Sequence, residues 1–579
     1  TDVKQTLKYE SEQPNSLYDP NGSFQSINRR YDIVYGDVML NFNYNINRFD
    51  IAATVGWTGR YENMNNMRVS TNGGLVTENW FDLNASRYTP SSTLQRMELL
   101  KTGYMGTLSL GWDNYLFLEL TGRQERSSTL KDQSFFYPSA NLSFLFTQAF
   151  HMPSWWNYGK LRLSYGIVGN APETYTANIV YEQGSDNGFT WNTIPSSWGN
   201  ADIRPEKKYE YEIGLESKFL NNRLGIDISY YNNRVKDQIL STPQPSTSGV
   251  KNVLMNVGEV ANHGWDISIS ATPILTRDFR WDLTANYGVY KNKVVKLADG
   301  VPYLEILNSG GSGIKIQAVE GQPMGDIYAQ VPQVNENGEY LVSDKGLYLN
   351  QTELQKVGNI NPAGVGGLFN SFSYKNVFLD FSIDFRIGGD VINEMNQYAT
   401  AVGLTPESLK YRDTEHGGLS YYYPGDNNSS GIPVQVDPST GAGPNGEIIY
   451  HDGIILPGVV ASTGERNTRI IPAGYYYNTT YNWGTEAEQL TYRHSVFDNS
   501  YVKLRELTIG YQFPEKMISK LGLGRLSVSV FGRNLFYFYK ALKNYDAESS
   551  VGTSWANQAT VGSSTTATRS FGVSLRASF

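Results

Sequence analysis

Apolar and polar residues alternate one by one along several stretches of this chain, and few folds can use that pattern over such lengths. Val38, Leu40, Phe42, Tyr44 and Ile46 are apolar, with Asn41, Asn43 and Asn45 between them. After a tight polar turn, Phe49, Ile51, Ala53, Val55 and Trp57 resume the pattern. Tyr209, Tyr211, Ile213 and Leu215 alternate with Glu210, Glu212, Gly214 and Glu216, and Asn221-Asn222 turns the chain back into Leu224, Ile226, Ile228 and Tyr230. The alternation returns over 265–271, 279–289, 377–387, 501–513, 525–534 and 569–579. Residues two apart on a strand share a face. Spacing at i, i+3, i+4 is nowhere sustained, so the chain reads as nearly all β, with roughly 14 to 16 strands.

A soluble sandwich uses strands of about 5–6 residues. Here the longest alternations run for about 10 to 15 residues, enough to cross a bilayer at the usual tilt. Turns near 46–48, 220–223, 274–278 and 375–377 are tight, whereas the connections near 62–98, 168–205, 294–366 and 389–498 are long. Short turns at one end and long loops at the other predict an antiparallel transmembrane β-barrel. Its polar faces would line a wet lumen, which reconciles a mean hydropathy of −0.41 with a membrane location. Tyr44, Trp57, Trp112, Tyr115, Phe219, Tyr230, Trp281, Tyr511 and Phe513 sit near strand ends, as interfacial girdles require. The alternation runs to the last residue, Phe579, as in strands recognised for barrel assembly; Phe571, Val573, Leu575, Ala577 and Phe579 are expected to face lipid, with Ser574 and Arg576 toward the lumen.

Composition narrows the function. A net charge of −8 argues against a nucleic-acid partner. The absence of Cys removes disulfides, thiolate metal sites and a Cys nucleophile. The histidines at 151, 263, 416, 451 and 494 show no metal-ligand spacing, and neither a phosphate loop nor a G-x-S-x-G elbow occurs. Asp426-Asn427-Asn428-Ser429-Ser430-Gly431 lacks the spaced acids of a calcium loop and reads as a solvated turn. The expectation is no enzyme, no cofactor and no metal. Substrate or partner contact is expected from the long loops, where Trp191, Trp198, Tyr421, Tyr422, Tyr423, Tyr475, Tyr476 and Tyr477 offer rigid faces with polar tips.

Several stretches resemble the SusC/RagA family of TonB-dependent transporters of the Bacteroidetes outer membrane. They are Leu161-Arg162-Leu163-Ser164-Tyr165-Gly166-Ile167-Val168-Gly169-Asn170, Pro205-Glu206-Lys207 with the strand that follows, and Asn256-Val257-Gly258-Glu259-Val260-Ala261-Asn262-His263-Gly264-Trp265-Asp266. Glu320-Gly321-Gln322-Pro323-Met324-Gly325-Asp326-Ile327-Tyr328, Ser500-Tyr501-Val502-Lys503-Leu504-Arg505-Glu506 and Phe531-Gly532-Arg533-Asn534-Leu535-Phe536 follow in family order. Asp546-Ala547-Glu548 departs from the Asp-Pro-Glu of relatives. These blocks read as architectural: Gly258 and Gly264 suit a sharp turn into a strand, and Gly388-Gly389 ends one. The resemblance implies the C-terminal part of a larger, 22-stranded barrel. The plug and the TonB-contacting segment would lie outside this chain, which begins Thr1-Asp2-Val3-Lys4 without a signal sequence. It further implies a SusD-like surface lipoprotein as partner, the TonB complex as energy source and glycan or peptide as cargo. The expected function is import of oligosaccharides or oligopeptides across the outer membrane of a Bacteroidetes-like Gram-negative bacterium. The alternative is a non-energised adhesion or structural barrel.

Overall fold

The computed structural model describes residues 2–11, 21–131, 133–186, 188–244, 246–309, 313–425, 431–482, 491–549, 554–561 and 567–578. Phe579 and residues 426–430 of the Asp-Asn-rich turn lie outside the described residues. The chain divides into two compact units: Thr1–Pro153, Tyr158–Leu215 and Tyr231–Ala261 form one, and Ser154–Asn157, Glu216–Tyr230 and Asn262–Phe579 the other. Among the described residues sixteen strands belong to one sheet, each beside the next of these sixteen in chain order. That is the upper limit of the count expected from alternation.

The first unit holds β1 (Asp2–Ser11), β2 (Ser23–Ile46), β3 (Phe49–Leu75), β4 (Ser86–Trp112), β5 (Leu116–Ser127), β6 (Ser134–Phe144) and most of β7 (Trp156–Asn170). Its hairpins close on residues that tolerate positive φ: Asn47 at +53° joins β2 to β3, and Asp113 and Asn114 at +52° and +61° join β4 to β5. On β2 the apolar residues expected to touch lipid are bare, Val38, Leu40, Phe42 and Tyr44 each at 60% exposure or more. A soluble fold does not leave such a row open. Trp112 and Tyr115 pack at 5.3 Å beside the β4–β5 turn, and Tyr115 meets Phe144 at 6.1 Å, an aromatic group at one strand end.

The long connection expected near 62–98 is absent. Residues 62–98 form no long loop; β3 and β4 continue through them as paired arms, with Asn63 opposite Glu98, and only 76–85 connects the arms. The alternation stops near Glu62 because both faces become polar. The backbone ladder does not depend on which face is apolar, and so it persists.

β8 (Glu206–Phe219), β9 (Leu224–Lys236) and β10 (Glu259–Leu275) each contribute residues to both units. The second unit continues with β11 (Phe279–Lys296), β12 (Gly364–Tyr374), β13 (Val377–Ile387), β14 (Tyr501–Gln512), β15 (Arg525–Lys540) and β16 (Ser570–Ser578). Lys375, at φ +53°, turns β12 into β13, while 297–363, 388–500 and 541–569 are the long connections. On β16, Phe571, Val573 and Leu575 are 74%, 72% and 69% exposed, and Gly572 and Ser574 between them are half-buried, as the alternation requires.

Gly258 has φ +94° and turns the chain into β10, whereas Gly264 lies inside β10 with ordinary extended backbone. The turn therefore needs only the first of the two glycines singled out in the sequence. Gly389, at φ +79°, ends β13 as expected; a Cβ there would stand 2.3 Å from Arg386 Nη2 and 3.0 Å from the Ile360 carbonyl.

Candidate functional site

The connections of the second unit are folded pieces with their own cores. Tyr303–Ser309, Ile314–Val319, Asp326–Ala329 and Gln355–Asn359 make a four-stranded sheet within the 297–363 connection. Ile314, Ile316 and Ile327 of this sheet are buried together with Ile360 and Ile392. Asp326, fully buried, is held by Asn359 Nδ2 at 2.7 Å, and Lys356 Nζ lies 2.7 Å from its other oxygen. A buried carboxylate needs such partners.

The 388–500 connection carries helices Glu394–Ala401 and Ala473–Tyr481. Asn393 caps the first by accepting from the Asn396 amide at 2.9 Å. Pro472 precedes the second, where a missing N–H costs nothing to the helix. On that helix the residues turned inward are Ala473, Tyr477 and Thr480, spaced i, i+4, i+7, together with Thr479. Tyr475 and Tyr476 of the same helix pack against a core of Leu347, Ile454, Leu456 and Ile471.

The aromatic residues expected to contact substrate or partner fall into three settings. Tyr421 and Tyr423 are buried: Tyr421 stacks on Tyr450 at 5.5 Å, and its hydroxyl donates to Asp452 at 3.1 Å. Burial and Asp452 together raise its pKa far above that of a free phenol. Tyr422 between them is half-buried. Tyr475, Tyr476 and Tyr477 lie on the second helix. Tyr477 is 4% exposed and donates to the carbonyls of Glu407 and Lys410 at 3.1 and 3.2 Å. Tyr475 and Tyr476 are half-buried against the Leu347 core. In the first unit, Trp191 is 46% exposed on the short strand Phe189–Thr193, covering Gly184. Trp198 is half-buried and meets Tyr181 edge-on at 6.3 Å.

Around the second helix lies a cavity of about 390 Å³ lined by five tyrosines, Tyr348, Tyr411, Tyr476, Tyr477 and Tyr481. Asn396, Glu407, Lys410 and His494 add polar groups to the lining. His494 lies flat on Tyr481, centroids 4.1 Å apart and 13° between planes. Burial, with the Arg493 charge beside it, lowers its pKa to about 4, so the imidazole is neutral at pH 7. The tyrosine run in the sequence pointed to this region. His494 did not, since an isolated histidine between Arg493 and Ser495 carries no pattern.

A second polar site joins the wall to the last connection. Lys503 and Arg505 on β14 hold Glu548 at 2.6 and 2.8 Å, and Tyr537 on β15 donates to Asp546 at 2.9 Å. Burial pushes the Glu548 carboxyl up, but its hydrogen bonds from Arg505 and Lys503 outweigh that and hold it at about 2. The Asp546-Ala547-Glu548 departure therefore keeps both acids anchored, and Asn499 Nδ2 donates to the Ala547 carbonyl at 2.9 Å. Among the described residues, no group of three or more His, Asp or Glu is arranged to hold a metal ion.

Consecutive antiparallel strands with bare apolar faces, short turns and folded connections define the class of outer-membrane β-barrels. Residues 1–334 match the family model described as TonB dependent receptor-like, beta-barrel, and the chain belongs to that family. TonB-dependent receptor P3 of Formosa agariphila is 24% identical over 494 residues, 78% of this chain and 42% of that protein. TonB-dependent receptor SusC of Bacteroides thetaiotaomicron is 30% identical over 247 residues, 39% of this chain and 24% of that protein. A solved structure of the RagAB peptide transporter superposes with a TM-score of 0.67 at 18% identity, covering 94% of this chain and 56% of that one. The chain spans less than half the length of these curated relatives.

Proposed function

We propose that this chain forms the barrel wall and loop rim of an outer-membrane importer of oligosaccharides or oligopeptides in a Bacteroidetes-like bacterium. A SusD-like surface lipoprotein would close over the connections, and the TonB complex would energise passage through parts of the receptor outside this chain. The observation that carries the reading is the folded aromatic layer built on the wall of the second unit. A purely structural barrel has no use for a 113-residue connection with two helices, a core and a tyrosine-lined cavity (388–500, by subtraction). Family membership and the likeness to SusC support the import role. In this reading Trp191, Trp198 and Tyr422 present ring surface to ligand or lipoprotein, while Tyr421, Tyr423 and Tyr477 hold the loops in shape.

The test is uptake. Cells lacking the gene are compared with parent cells for accumulation of fluorescent hexasaccharides and pentapeptides, with a protonophore as energy control. Energy-dependent uptake of one cargo class by the parent alone is the expected result. Equal uptake by both strains, with surface adhesion lost in the mutant, would favour the adhesion barrel instead.

A further inference from the structure

The tyrosine cavity has a chemistry that selects between the two cargo classes, and the inference rests on the import reading above. We propose that this cavity is a saccharide subsite that takes one pyranose ring of an oligosaccharide. Its walls are aromatic, and the C–H face of a pyranose packs on such rings with little loss of side-chain freedom. Its volume falls within the usual range for small-ligand pockets.

The polar groups favour a sugar ring over an apolar side chain. Among the described residues nothing hydrogen-bonds the ring nitrogens of His494, although the imidazole lines the cavity. A neutral imidazole offers one donor and one acceptor, which matches a sugar hydroxyl, itself both donor and acceptor. Asn396 uses Oδ1 to accept from Asn544 Nδ2 at 2.9 Å; among the described residues its side-chain Nδ2 has no partner. Glu407 and Lys410, both exposed, stand at the rim. An aliphatic or phenylalanine side chain in this space would cover His494 and Asn396 without satisfying either, and buried unpaired polar groups oppose binding. A ring bearing hydroxyls on its edge and C–H bonds on its face satisfies both. Tyr477 is already committed to the Glu407 and Lys410 carbonyls and acts as a positioning residue for the rim.

The whole receptor carrying this chain is purified from outer membranes in detergent and screened on a broad glycan array. Hits, together with Tyr-, Phe- and Leu-centred pentapeptides, are then titrated by calorimetry. The expected result is a glycan Kd that rises at least about tenfold in His494→Phe, which keeps the stacking on Tyr481 but removes both nitrogens. His494→Gln, which keeps a donor and an acceptor, should stay within about threefold of the parent. Heat-modifiability gels confirm that each variant is a folded barrel. Retention of no glycan, or an unchanged glycan Kd in His494→Phe, overturns the subsite. So does peptide binding that depends on His494. Each of these leaves import intact in parent cells, whereas failure of the import reading removes parental uptake whatever binds the cavity.

Discussion

Lys503 Nζ lies 2.6 Å from Glu548 Oε2 while Lys503 itself is 3% exposed, so a cation on wall strand β14 is neutralised by an acid from the last connection. Asp546 stands behind at 4.0 Å as a weaker second partner. Glu548→Gln keeps the shape and removes one charge. The expected cost is about 1–3 kcal/mol, because Asp546 still faces Lys503 and Glu548 is partly open to screening. The loss should be local, read as faster amide exchange over 541–549 with unchanged heat-modifiability. The depressed Glu548 pKa adds a sign: its contribution is present above about pH 4.5 and disappears only as pH falls through about 2. The 541–549 segment should therefore stay protected at pH 4.5, and faster exchange there would contradict the assignment.

On β16 the exposed row Phe571, Val573 and Leu575 makes a face-specific prediction. Val573→Arg places a charge in hydrocarbon and should cost about 2–4 kcal/mol if it sits near the midplane. Ser574→Arg, one residue on and pointing the other way, should be nearly neutral. The measurement is the yield of heat-modifiable protein in washed outer membranes. Deleting 570–578 strips the pairing partners of Arg525–Arg533 on β15, leaving backbone groups unpaired at membrane depth, and should abolish assembly. Equal yields for the two arginine variants would mean that β16 has no lipid-facing side.

These strands are legible because one face of each is apolar and the other polar, a strict period of two that Phe571 or Leu40 betrays at once. The arms around Asn63 and Glu98 are not, since both faces there are polar and the ladder leaves no mark in the side chains. The helix Ala473–Tyr481 was missed for a related reason. Its inward residues Ala473, Tyr477, Thr479 and Thr480 are small or polar-tipped, so the helical period is present without contrast. Three consecutive tyrosines show that a surface is aromatic but not which ring turns inward. Tyr477 does, whereas Tyr475 and Tyr476 are half-buried. His494 was silent because its role comes from Tyr481, which reaches it only through the fold.

Asp326 gives a third test, in a block whose residues read as architectural. The carboxylate is fully buried between Asn359 and Lys356, and Asn361 Nδ2 donates to the Met324 carbonyl at 2.6 Å beside it. Asp326→Ala removes the acceptor of the Asn359 amide and the ion-pair partner of Lys356, whose side chain is 43% exposed and can turn to water, so the cost should be about 1–3 kcal/mol within this small sheet. Limited proteolysis should then cut within 297–363 while the wall remains heat-modifiable. Asp326→Asn, which retains an acceptor, should cost less. Resistance to protease in Asp326→Ala equal to that of the parent would show that the buried acid is not what anchors the sheet.

The last prediction concerns acid and the aromatic layer. His494 has a pKa near 4 in the fold against 6.5 for a free imidazole, so the unfolded layer takes up the proton first as pH falls. Its contribution is complete above about pH 6.5 and is lost as pH falls through about 4, on the order of 3 kcal/mol over that span. The groups facing it are Tyr348, Tyr411, Tyr476, Tyr477, Tyr481, Glu407, Lys410 and the neighbouring Arg493. Burial pushes Tyr348 and Tyr477 up to about 12 and Tyr476 higher still, so none of these three titrates in the window. Burial raises Glu407, but hydrogen bonds from the backbone, Asn544 and Thr405 outweigh it and leave the carboxyl below its usual value. Amide exchange over 473–481 and 491–497, corrected for its intrinsic pH dependence, should therefore quicken between pH 6.5 and 4 in the parent. The same segments in His494→Phe should show a flat profile, because the ring no longer takes a proton. A parent profile that is flat, or a His494→Phe profile that still bends, would place the acid response on another group.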